Sequence, residues 1–212
     1  MGAKEIALET QANTIINNMK KRHFDAYYCE TKEAAFEKAL SLMEKGSSVG
    51  NGGSQTLSEI GLLPYMKTTE DYVFVDRKSA KNDQEKREIH ARIMMTDYFL
   101  VSANAFTEDG QLVYIDGDGN RVSNICYGPK HVIVIVSMNK VCPDVDSAYR
   151  RIREHACPPN CVRLNLDTPC AKTGFCHECS STASICDLFL TVRQSRFPGR
   201  IKVILVGEPL GY

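Results

Sequence analysis

"VIVIV", residues 132–136, is the longest purely aliphatic run in the chain. It suits a strand buried on both faces and is far too short to cross a bilayer. Further strands are expected in "FDAYYCE" (24–30), "DYVFVD" (71–76), "DYFLVSANA" (97–105), "QLVYID" (111–116) and "IKVILVGE" (201–208). Helical stretches lie between them. An opening helix over 4–22 carries Ile6, Ile15, Ile16 and Met19 on an apolar face, and 31–46 begins at a Thr31 N-cap and ends at a glycine. Two more span 84–95 and 144–156. Strands alternating with helices, the strands nearly continuous in apolar residues, predict an α/β fold with a largely parallel sheet covered on both faces. From about 157 to 199 the pattern gives way to Cys, Pro, Gly and Ser, an irregular insert before the last strand. The expected organisation is one unit over 1–212, with an N-terminal helical segment (1–46) and a cysteine-rich insert (157–199).

The chain has 212 residues, 43% of them hydrophobic, enough for one good core. Lys+Arg and Asp+Glu balance at 26 each, so charge gives no reason to expect nucleic acid or an anionic membrane as partner. No signal peptide is visible behind Lys4, Glu5, Glu9, Lys20, Lys21 and Arg22. The expectation is a soluble cytoplasmic protein without membrane insertion.

"VGNGGSQTLSE" (49–59) is the strongest signal outside the cysteines. Gly50, Gly52 and Gly53 let the backbone turn tightly and bring N–H groups close to a ligand, while Ser54 and Thr56 supply hydroxyls or a helix cap. The stretch is neither G-x-G-x-x-G nor a P-loop, because the P-loop lysine is missing. A glycine turn that merely joins strand to helix is the plain alternative. Asn104 follows a strand, and ligands of parallel sheets sit at the carboxyl ends of strands. Together these six residues make the candidate site for a small anionic metabolite or phosphorylated cofactor. "DGDGN" lacks the frame of a calcium loop, and Asp109–Gly110 reads as a hairpin turn.

Cys170, Cys176, Cys179 and Cys186 form C-x5-C-x2-C-x6-C in "PCAKTGFCHECSSTASIC" (169–186). In a reducing cytosol clustered cysteines are seldom disulfides, and the total of nine is odd. Four thiolates suit a tetrahedral zinc or an iron–sulfur cluster. One C-x2-C knuckle with two single cysteines departs from paired-knuckle zinc sites, which favours the cluster, with zinc as the alternative. His177 lies within the knuckle and could substitute on zinc, and Cys157 and Cys161 add a C-x3-C upstream. Buried free thiols are the structural alternative. Cys29, Cys126 and Cys142 are expected to take no part.

Several stretches taken together carry a resemblance: "GSSVGNGGSQTLSEIGL", "DYFLVSANAFTEDGQLVYIDGDGNRV", "GPKHVIVIVSMNKV", "PCAKTGFCHECSSTASIC" and "RIKVILVGEPLGY". They resemble the LUD-domain family, named for lactate utilisation, over nearly the whole chain. The resemblance implies the fold of the ribose-5-phosphate isomerase and coenzyme A transferase superfamily, a Rossmann-like three-layer sandwich. It also implies a part in organic-acid oxidation, with redox proteins as partners and self-association as a further expectation. A non-catalytic metabolite-binding or scaffold subunit with structural zinc is the competing reading. Related sugar-phosphate isomerases have an aspartate where this chain has Asn104, and an amide cannot serve as general base, which disfavours isomerisation. Glu108 in "TEDG" could stand in for the nucleophilic glutamate of coenzyme A transferases, a minority reading.

Overall fold

A computed structural model describes residues 2–212. Its centre is a six-stranded sheet in the order β3 (Val73–Val75), β2 (Ser48–Asn51), β4 (Tyr98–Val101), β7 (His131–Ser137), β10 (Ile201–Val206), β1 (Asp25–Cys29). Every neighbouring pair is parallel. The pleat explains why β7 must be apolar throughout. Val132, Val134 and Val136 enter the core on one face, and Ile133 and Ile135 enter the core on the other.

The first face is covered by α1 (Ala3–Lys21) and α5 (Asp83–Met94), through Ala12, Ile15, Ile16, Met19, Ile89 and Ile93. On the second face lie α2 (Lys32–Ser41), α3 (Gln55–Glu59) and α4 (Leu62–Thr68), with Ala35, Ala39, Leu57, Leu62 and Met66 in the core. The result is a Rossmann-like three-layer arrangement. Ile6 was expected on the buried face of α1 but is 53% exposed; the buried residues of that helix start at Ala12. Thr31 caps α2 as its sequence predicts, its hydroxyl accepting from the Ala34 N–H at 3.2 Å. That helix stops at Ser41, short of Gly46.

A second, smaller sheet runs β8 (Val141–Cys142), β5 (Ala105–Thr107), β6 (Leu112–Asp116), β9 (Leu188–Val192). The strand in "QLVYID" therefore does not join the parallel sheet. It turns back on β5 through a hairpin at Gly110, whose φ of 89° favours glycine. Phe106, Leu112 and Tyr114 bury in the same core as α1 and the valines of β7. The segment 157–199 is also more ordered than its composition suggests. It holds α8 (Cys157–Arg163), α9 (Pro169–Thr173) and β9. α8 continues from α7 (Val145–Arg151) through a π-helical turn, Ile152–Ala156. Composition conceals these elements because the helices are short and proline-initiated, and β9 is an edge strand with Leu188 and Phe189 exposed. No helix among the described residues is long and apolar enough to cross a membrane.

Candidate functional site

The chain reverses direction across the sheet between β2 and β4. From β2 it moves outward through α3 and α4 to β3, then crosses back under α5 to β4 on the other side of β2. β2 leaves the sheet into α3 and α4 on one face, and β4 leaves it into β5 and β6 on the other, so the two loops diverge and open a crevice at their carboxyl ends. A cleft of about 210 Å³ lies there, lined by residues that include Gly53, Ser54, Thr56, Ser102 and Asn104. Thus four of the six ligand-site residues read from sequence meet in one cleft.

Gly50 and Gly52 lie behind it and serve packing. A Cβ on Gly50 would stand 2.8 Å from Ile93 Cγ2, so its absence lets α5 approach β2. At Gly52 a Cβ would meet the Arg121 stem at 3.1 Å and Phe99 and Val101 at 3.2 Å. Gly53 faces the cleft itself, where a Cβ would stand 2.7 Å from an Arg77 guanidinium nitrogen. Ser54 caps α3 by accepting from the Leu57 N–H at 3.2 Å. Glu108 sits exposed on the β5–β6 hairpin and is not part of the cleft lining.

Four cations line the cleft, Arg77, Arg121, Lys140 and Arg163, against two carboxylates, Asp116 and Asp118. Arg121 belongs to α6 (Asn120–Cys126) and is held in place from several sides. Its Nη2 donates to Ile115 O at 2.6 Å and to Asn104 Oδ1 at 2.9 Å, and lies 3.4 Å from Asp116 Oδ1. The side-chain oxygen of Asn104 is therefore spent on positioning Arg121 and on the Ile115 N–H at 3.3 Å. Arg121 Nε is buried without a hydrogen-bond partner among the described residues.

Lys140 follows β7 and is only 3% exposed. Its Nζ donates to Thr56 Oγ1 at 3.1 Å. Among the described residues neither Lys140 nor Arg77 forms an ion pair. Burial, and then the nearby Arg151 guanidinium, push the Lys140 ammonium down to about 7. Burial also lowers Arg77. Asp116 and Asp118 lie near Arg77 and Glu59 near Lys140, but none of them makes a close ion pair with either cation, so both are desolvated without a direct carboxylate contact. Sequence reading missed Arg77, Arg121 and Lys140, which come from three separate stretches. One signal was present: a lysine directly beyond the most apolar strand, at the sheet edge where ligands sit.

The cysteines are arranged differently from their spacing. All nine carry free thiols. Cys170 is buried on α9 with its sulfur 3.4 Å from Thr168 Oγ1, and Cys161 lies beside both groups. Cys186 instead meets Cys157, sulfur to sulfur at 3.3 Å. Cys176 is half-buried and Cys179 exposed. Cys170, Cys176, Cys179 and Cys186 are thus not gathered, and among the described residues no group of three or more His, Cys, Asp or Glu side chains is placed to hold a metal ion.

The LUD domain family model matches residues 12–206. Among curated proteins none matches the chain. A DUF162 family protein from Deinococcus radiodurans is similar in fold, with a TM-score of 0.53 at 13% identity over 96% of this chain and 98% of that one. The model match takes in both sheets, the cleft loops and the cysteine segment, and by it this chain belongs to the LUD domain family.

Proposed function

We propose that this protein binds a small anionic metabolite, a carboxylate or phosphate ester, in the cleft at the carboxyl ends of β2 and β4. The observation that carries this reading is Lys140, buried at 3% exposure without a carboxylate partner and facing Thr56 across the cleft lining. A bound anion would give Lys140 and Arg77 the direct ion-pair partner that neither has within the fold. Ser54, Thr56 and the Asn104 amide supply hydrogen bonds that orient it. A place in organic-acid metabolism accords with the lactate-utilisation resemblance and with a ligand of one or two negative charges.

The test is calorimetric titration with inorganic phosphate and with short mono- and dicarboxylates. One equivalent of at least one of these is expected to bind. Arg77→Met should weaken that binding by roughly 10- to 100-fold, the worth of one hydrogen bond to a charged group. Equal affinity in a folded Arg77→Met protein would remove the reading.

A further inference from the structure

The cysteine segment reaches the cleft. Cys157, at the start of α8, lines the same crevice as Ala156, Asn160 and Ile185. Cys186 arrives from the loop after α9, where residues 174–187 hold no helix or strand. That loop is docked on the cleft wall. The Asp187 N–H donates to Asp116 O at 3.1 Å, and Gly117 lies so close beneath that a Cβ there would stand 3.1 Å from Ile185 Cα.

The two sulfurs are 3.3 Å apart, so a covalent bond of ~2.05 Å needs an approach of about 1.3 Å. Cys157 is fixed on a helix and buried, whereas Cys186 belongs to an irregular loop and is half-buried. The more accessible thiol is therefore also the one held outside any helix or strand. From this geometry we infer that Cys157 and Cys186 are a redox-active dithiol in the cleft wall, open to exchange with small disulfides.

The exchange balances in two steps. The Cys186 thiolate attacks one sulfur of a low-molecular-weight disulfide such as oxidised glutathione, forming a mixed disulfide and expelling one thiolate. Cys157 then gives up its proton and attacks the Cys186 sulfur, expelling the second. Two protons and two electrons pass from the protein thiols to the small disulfide, which leaves as two thiols. Cys186 is the more exposed of the two thiols and so the one a small disulfide reaches first, which favours this order of attack. The product ties the loop to α8 across the cleft wall. This inference concerns the thiols alone and stands whether or not the cleft binds an anion.

The full chain, with its metal content measured, is equilibrated with oxidised and reduced glutathione at graded ratios. The expected result is loss of two of the nine thiols, with a peptide map joining Cys157 to Cys186. Cys157→Ser and Cys186→Ser should each abolish that link, and Cys179→Ser should keep it. Because Cys157 is buried, circular dichroism checks its variant, and Cys186→Ser carries the test if that variant misfolds. Three results would overturn the inference: a link between another pair, all nine thiols surviving the most oxidising ratio, or a stoichiometric metal ion that shields both sulfurs.

Discussion

Lys140 shows how one residue sets function against stability. In the unfolded chain its amine titrates near ~10.4, and in the fold it is pushed down to about 7. Between these values the unfolded chain binds more protons, so this residue makes the fold more stable as pH rises from about 7 to about 10. Below that window its charge is buried at constant cost. Lys140→Met should accordingly raise the melting temperature of the ligand-free protein at neutral pH by ~2–4 °C, about 1 kcal/mol for a chain of this size, while weakening anion binding. A lower melting temperature would mean that the amine has a stabilising partner. Gly52 makes the opposite case. Its sequence context suggested a ligand contact, but its surroundings are the Arg121 stem, Phe99 and Val101. Gly52→Val should therefore destabilise the fold by about 1–3 kcal/mol through overpacking, measured by urea denaturation, and not merely block a ligand. Spacing alone could not separate these glycines, because a turn, a close helix and a ligand all call for a missing Cβ.

Elements were legible where burial imposes a pattern. β7 declared itself because both its faces are covered, and α2 because Thr31 caps it. The small sheet was misassigned, since β6 is as apolar as a parallel strand yet pairs antiparallel with β5 and β9. Its neighbours depend on a long-range contact with residues 188–192 that no local pattern reveals. The C-terminal end of α6 illustrates another such contact. Arg200 donates to Ile125 O at 2.8 Å and Asn124 O at 3.2 Å, capping carbonyls that the helix leaves open, and to Pro129 O at 3.3 Å just beyond it. Arg200→Met should cost about 1.5–3 kcal/mol, with faster amide exchange around residues 120–130 than elsewhere. Uniform acceleration across the sheet would show that Arg200 acts on the whole fold instead.

At the scale of the whole molecule, strand order places the site. Because the chain leaves β2 on one face of the sheet and its neighbour β4 on the other, a crevice opens at the carboxyl edge, and residues distant in sequence converge there: Gly53, Arg77, Asn104, Arg121, Lys140 and Cys157. Sequence reading reached Gly53, Ser54, Thr56 and Asn104 because a glycine loop and a strand end are local signals. The cations escaped it because strand order, not spacing, brings them together. The cleft as an anion site turning on Lys140 is tested most directly by calorimetry with sulfate, whose charge stays constant from about pH 6 to about pH 9. One sulfate per chain is expected, with affinity falling by up to about tenfold per pH unit above pH ~7 as Lys140 must first take up a proton. In Lys140→Met the binding should be weak and flat with pH. Affinity independent of pH in the native chain, or unchanged in Lys140→Met, would contradict this.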